Sequence, residues 1–219
     1  MADKYANFSE LAQSEKEGTD FRVRLRANGG STAIIAPHGG RIEPGTSEVA
    51  EAIANNDFSF YTFEGIKPGE NADLHITSTR FDEPRCVALV GASPRAVSIH
   101  GEERQRPVVF LGGRDGAMLG RLRKSLSARG FTCETHESAQ VQGLNPANIC
   151  NRTASGAGVQ LELSRGLRRS FFESLSQSGR RSTTQQFHQF VAAVREAVGE
   201  GTTRAAARKR SAGDGAPPE

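Results

Sequence analysis

The sequence has no run approaching the roughly 20 consecutive apolar residues that cross a bilayer as a helix. Its first twenty residues are polar and lean acidic, without the basic start and apolar centre of a secretory signal. The expectation is a soluble protein, cytoplasmic or released by cell lysis. Cysteine is scarce. Cys86, Cys133 and Cys150 make an odd count with no Cys-x-x-Cys spacing, which argues against a disulfide framework or a structural zinc cluster. In apolar runs such thiols behave as small hydrophobic groups. A strong charge of one sign is also missing: 28 Lys and Arg against 25 Asp and Glu leave a net charge of +3. Part of that excess lies in the short run from Arg204 to Arg210, so the body is close to neutral.

What is present is a succession of strand and helix patterns over a length that fits one α/β domain. Phe21–Arg26 and Phe58–Phe63 alternate in the manner of strands with one wet face, and Thr32–Ala36 reads as a strand buried on both faces. Thr46 or Ser47 can cap a helix that carries Val49, Ala50, Ile53 and Ala54 on one side. Leu74–Ser78, Cys86–Val90, Ala96–Ile99, Val108–Leu111, Phe131–Thr135 and Val159–Ser164 read as further strands. A helix spans about Gly116–Arg129 and stops at Gly130. The segment from Gly143 to Gly158 reads as a long loop, of the kind that often binds ligands. Two helices follow, at about Leu167–Ser176 and Thr183–Val198. From Gly199 the chain loses its apolar period and is expected to be disordered. The organisation predicted is a polar segment over 1–20, a single domain over 21–198 and a basic, Pro/Gly/Ala-rich tail over 199–219. The buried strands between helices imply a mixed, mostly parallel sheet covered by helices on both faces.

The chemistry concentrates at Pro37-His38-Gly39-Gly40, where an apolar strand ends, with Glu43 five positions after the histidine. Open α/β sheets place ligands at such strand ends. Imidazole and carboxylate both suit zinc, which in catalytic sites takes three protein ligands and leaves a position for water. The two glycines let the chain bend so that Glu43 returns beside His38. His100, at the end of a second apolar strand, is the candidate third ligand. The bland alternative is a turn histidine, with Glu43 serving as a helix N-terminal charge. Glu162 stands between Leu161 and Leu163, on one strand face with Gln160 and Ser164. That face is either solvated or turned to a polar cleft. His75 is either structural or a neighbour of the site, and His136 is expected in solvent. Asn145, Asn148 and Asn151 either shape the long loop or reach a ligand.

Five motifs occur in one order. They are Pro37-His38-Gly39-Gly40-x-Ile42-Glu43-x-Gly45-Thr46-x-Glu48, Leu74-His75-Ile76-Thr77-Ser78, Val97-Ser98-Ile99-His100-Gly101, Gly112-Gly113-Arg114-Asp115 and Gln160 to Arg168. In these the chain, from about Phe21 to Val198, resembles the poly-γ-glutamate hydrolases of phages and bacteria. The resemblance implies a zinc-carboxypeptidase-like fold with one zinc at the strand ends, and hydrolysis of γ-glutamyl amide bonds in poly-γ-glutamate. It further implies His38, Glu43 and His100 as zinc ligands and Glu162 as the catalytic carboxylate. A polymer with a carboxylate on every unit calls for arginines, which grip carboxylates with two parallel hydrogen bonds. Arg114, Arg152, Arg165 and Arg168 are the candidates, each with an ordinary surface charge or structural pair as its alternative. A zinc peptidase or amidase for another acidic or cell-wall peptide is the competing enzyme. A nucleic-acid-binding accessory protein is the rival of a different class, suggested by the basic tail and opposed by the lack of an aromatic-basic face.

Overall fold

The computed structural model describes residues 3–211. Seven strands form one mixed sheet in the order β1-β3-β2-β4-β7-β5-β6. They are β1 (Phe21–Arg26), β2 (Thr32–Gly40), β3 (Ser59–Gly65), β4 (Arg95–Glu102), β5 (Val109–Gly113), β6 (Cys133–Glu134) and β7 (Val159–Ser164). The central strands β3, β2, β4 and β7 are mutually parallel. β1 runs antiparallel to β3, and β5 antiparallel to β7. The predicted mixed, mostly parallel sheet is therefore present.

Both faces are covered, because the buried strands are apolar on both sides. Ile34 and Ala36 of β2 pack with Val97, Ile99, Leu161 and Leu163 under four helices. These helices are α2 (Thr46–Ala54), α4 (Gly116–Ser127), α5 (Arg165–Phe171) and α6 (Gln185–Ser211). Ala33 and Ile35 face the other way, into a smaller core with Tyr61, Phe63 and Phe81. That second core is closed by α1 (Phe8–Ser14) and α3 (Pro84–Gly91). No helix among the described residues is long and apolar enough to cross a membrane.

Four local expectations are corrected. Cys86–Val90 is helical within α3, not a strand: Glu83 caps it by accepting from the Cys86 N–H at 3.0 Å, and Pro84 occupies the first turn. A short buried apolar run does not by itself distinguish strand from helix. Leu74 ends a 3-10 turn, and the following residues give their backbone groups to side chains instead of a ladder. Thr77 N–H donates to Asp3 at 2.7 Å, and the Ile76 carbonyl meets His38 Nε2 at 2.8 Å. The first twenty residues are polar in sequence yet insert Tyr5 and Leu11 into the smaller core. Finally, α6 continues past Gly199 to Ser211, where disorder was expected. The alanines and basic residues over 204–210 are strong helix formers that extend a helix already nucleated by packing. The remainder of the expected tail, 212–219, lies outside the described residues.

Candidate active site

The C-terminal ends of β2, β4 and β7 bring His38, His100 and Glu162 to one edge of the sheet. Strict alternation would turn His38 toward the same face as Ala36. A β-bulge prevents this: Ala36 pairs with Thr62, but Gly39 pairs with Glu64, so β2 carries one extra residue. His38 thereby turns to the face of the smaller core, beside Phe81 at 6.1 Å between rings. A side chain at Gly39 would collide on the opposite face, against α2, its Cβ falling 2.1 Å from Ser47 Oγ. Gly40 has a φ of 66°, and the Glu43 N–H closes the turn by donating to the His38 carbonyl at 3.0 Å.

Within this turn the donors converge. His38 Nδ1 lies 3.2 Å from Glu43 Oε1 and 3.2 Å from His100 Nδ1, and Glu43 Oε2 lies 3.9 Å from His100 Nδ1. The far side of each ring is anchored. His38 Nε2 must donate to the Ile76 carbonyl, so in the neutral ring the Nδ1 lone pair faces inward. His100 Nε2 meets Ser98 Oγ at 2.8 Å. Two inward nitrogens and a carboxylate at this spacing suit a cation between them, each held by an outer partner as metal-binding histidines usually are. Burial raises the Glu43 carboxyl, but protonated His38 outweighs it and holds the pKa at about 2. Burial lowers His38 and Glu43 more than offsets this, so a metal must displace the His38 Nδ1 proton to bind there. Burial drives His100 down to about 3 in spite of Glu43. A neutral imidazole is the form that binds a metal.

Glu162 is the register neighbour of His100 across the β4–β7 ladder, so both side chains share one face. Gln160 Nε2 donates to Glu162 Oε1 at 2.7 Å, and Asn148 Nδ2 holds Gln160 Oε1 at 2.9 Å. Burial pushes the Glu162 carboxyl well above the usual carboxylate range, and the charge on Glu43 adds to the shift. Asn151 shapes the loop by donating to the Gly143 and Asn145 carbonyls.

His75 joins the cluster through contacts its local sequence does not announce. Its ring lies 4.0 Å from that of His38, and its Nδ1 is 2.7 Å from Asp3 Oδ1. His38, Glu43 and His75 offer ligand atoms that all lie within 4.8 Å of one another. His75 thus forms a second triad that shares two members with the first. Asp3 also accepts from Arg80 at 2.5 Å, so the start of the chain fixes this histidine's position. We expect Asp3→Ala to lower turnover by about tenfold or more, since losing an outer partner of such a site typically costs about 10–100-fold in activity or metal affinity. Unchanged kinetics in steady-state assays would remove Asp3 from the site.

The glutamate loop is braced by Arg168, which is 1% exposed. Its guanidinium donates to the carbonyls of Leu163, Pro44 and Glu102 at 3.1, 2.8 and 3.0 Å. It lies against Gly101, whose N–H donates to Glu43 Oε2 at 2.8 Å. A Cβ on Gly101 would fall 2.7 Å from Arg168 Cζ. Gly101→Ala is therefore expected to cost about 1–3 kcal/mol and to weaken metal binding. Calorimetric melting and zinc titration both matching the parent protein would refute this role.

The sequence profile of the poly-γ-glutamate hydrolases matches residues 5–193. The chain belongs to the poly-γ-glutamate hydrolase family. The solved structure of a bacteriophage poly-γ-glutamate hydrolase superposes with a TM-score of 0.87 at 33% identity, covering 91% of this chain and 98% of that one. Zinc-free YndL superposes at 0.85 with 34% identity, covering 91% and 99%. Among Bacillus subtilis (strain 168) proteins, UPF0714 protein YmaC is 37% identical over 196 residues, 88% of this chain and 83% of its own. The SPbeta prophage-derived UPF0714 protein YoqZ is 35% identical over 201 residues, 91% of this chain and 73% of its own. This chain is accordingly a hydrolase of that family.

Of the four arginines expected to meet the family's polymer, Arg168 is buried and spent on backbone carbonyls, and the structure separates the other three. Arg165 follows β7 at the His100–Glu162 edge, exposed and paired with Glu103 at 2.7 Å. Arg114 does not lie at that edge. Its motif follows β5, and β5 is antiparallel to β7, so Gly113 pairs with Val159 and Arg114 sits at the opposite end. Arg152 donates to the Ala147, Phe81 and Thr79 carbonyls at 2.8, 3.2 and 2.9 Å, which ties the long loop down and leaves little for a ligand. His136 is not in solvent either: it is 8% exposed, with its ring 4.8 Å from that of Phe110.

Proposed function

We propose that this protein hydrolyses γ-glutamyl amide bonds of poly-γ-glutamate with one zinc held by His38, Glu43 and His100, and with Glu162 as general base and acid. The observation that carries the reading is the convergence of the two Nδ1 atoms and the Glu43 carboxylate beside Glu162. When bound there, zinc supplies Lewis-acid polarisation of an amide carbonyl and acidifies a water molecule. Glu162 takes the proton from water as its oxygen attacks the carbonyl carbon. It then delivers that proton to the departing amide nitrogen, leaving a new γ-carboxyl and a free amine. Burial suits Glu162 to this double role, because a raised pKa lets a carboxyl both accept and return a proton near neutral pH. Gln160 occupies Oε1 and leaves Oε2 for the reacting proton.

The test is incubation of purified protein with poly-γ-glutamate, with and without chelator, following product size by gel filtration. Depolymerisation that chelation abolishes and zinc restores is expected. An intact polymer at every zinc loading overturns the reading. Arg165 is proposed to guide the polymer's carboxylates to this edge. Arg165→Ala should raise KM about two- to fivefold, the scale of an exposed ion pair, without altering the melting temperature. Equal KM values for variant and parent would make it a plain surface charge.

A further inference from the structure

The sheet carries a second set of arginines on the face away from His38 and His100. A cavity of about 110 Å³ lies between β1, the ends of β2 and β3, α2 and the segment before α6. Arg22, Arg24, Arg41 and Arg180 line it together with Glu48 and Glu64, four positive groups against two negative. Two of the arginines are committed. Arg24 bonds Glu64 and Glu51, and Arg41 donates to the Lys67 carbonyl at 2.7 Å and to Gln177 at 2.9 Å.

The other two hold donors in reserve. Arg180 is 7% exposed, with Nε on Glu48 Oε1 at 2.7 Å and Nη1 on the Leu175 carbonyl at 2.6 Å. Its Nη2 has no hydrogen-bond partner among the described residues. Arg22 donates through Nε to Glu64 at 2.6 Å, and both of its outer nitrogens are unspent among the described residues. Beside them Glu48 Oε2 is buried and lacks a donor. Buried polar groups are costly to leave unmatched, so this set calls for a ligand that offers acceptors to the guanidinium groups and a donor to the carboxylate.

We infer that this cavity is a holding position for a γ-glutamyl unit remote from the bond being cut, an inference that rests on the proposed polymer substrate. In such a chain each α-carbon bears a carboxylate and an amide N–H side by side. The carboxylate meets Arg22 and Arg180, and the N–H meets Glu48 after a small shift of its side chain. Gly40, two residues beyond His38, lines the cavity, so it lies at the same end of the sheet as the reacting groups. A polymer passing over that edge engages both positions, whereas a short oligomer reaches one.

The zinc-loaded full-length protein tests this with poly-γ-glutamate and a γ-glutamyl trimer as substrates. Arg22 is the first target because its side chain is 54% exposed and its removal disturbs packing least. Arg22→Gln should raise KM for the polymer about three- to tenfold with kcat unchanged, as loss of uniform binding does. Trimer kinetics, zinc content and melting temperature should remain those of the parent protein. Glu48→Gln, which keeps an acceptor for Arg180 and puts an amide donor in place of Oε2, should raise polymer KM in the same way and decides the matter if Arg22→Gln melts early. Equal changes on polymer and trimer, or none on either, overturn the inference. If neither substrate is cleaved, the proposed activity fails separately. Calorimetric titration of poly-γ-glutamate then reads the cavity alone: weaker binding to Arg22→Gln upholds it, and equal binding overturns it.

Discussion

Glu162→Gln should retain about one zinc per chain and lose about two to four orders of magnitude in kcat, the range of general acid–base catalysis. The substitution is nearly isosteric, and the Gln160 amide that now donates at 2.7 Å still finds an acceptor, so packing in the β7 strand is preserved. What disappears is the carboxylate that accepts a proton during attack and returns it to the leaving nitrogen. Metal analysis and turnover on poly-γ-glutamate must be read together. Near-parental turnover would exclude Glu162 from the chemistry. Loss of zinc with retained folding would make it a ligand instead.

His100→Ala should abolish stoichiometric zinc binding and, with it, nearly all activity. It removes one of two imidazole nitrogens that lie 3.2 Å apart and leaves a buried pocket facing Glu43. The companion variant His75→Ala separates the two overlapping triads. If His38, Glu43 and His100 hold the metal, His75→Ala keeps the ion and loses only part of the rate. If instead His38, Glu43 and His75 hold it, the two variants exchange behaviour. Zinc occupancy after gel filtration distinguishes these outcomes without any activity assay. The parent protein should also melt at a lower temperature once zinc is stripped, because a ligand bound only by the native state stabilises it by mass action. An unchanged melting temperature upon chelation would mean that the cluster holds no metal tightly.

The arginines show where reading along the chain loses its grip. Arg114 looked like a site residue because it stands in the Gly112-Gly113-Arg114-Asp115 motif and the implied polymer calls for arginines. Strand direction is set by partners distant in sequence, and the reversal of β5 carried Arg114 to the other end of the sheet. Arg168 looked like a further arginine for the polymer's carboxylates, yet it is buried and its guanidinium is spent on the Leu163, Pro44 and Glu102 carbonyls. Its neighbour Arg165 keeps a place at the reacting edge.

Contiguous residues by themselves determined the central strands, the turn after β2 and the meeting of His38 with Glu43. Alternation, β-branched runs, cap residues and paired glycines act within a few bonds of one another and are written locally. Tertiary structure alone decided the rest. The bulge that turned His38 to its neighbours depends on pairing with β3. The position of His75 depends on Asp3, which is far away in sequence. Cys86–Val90 is the exception: its helix is started by the local Glu83 cap and Pro84, while the apolar run alone satisfies either geometry. The pairing of His100 with Glu162 requires β4 and β7 to be adjacent and parallel. Those outcomes belong to burial and long-range hydrogen bonding, whose partners no local pattern specifies.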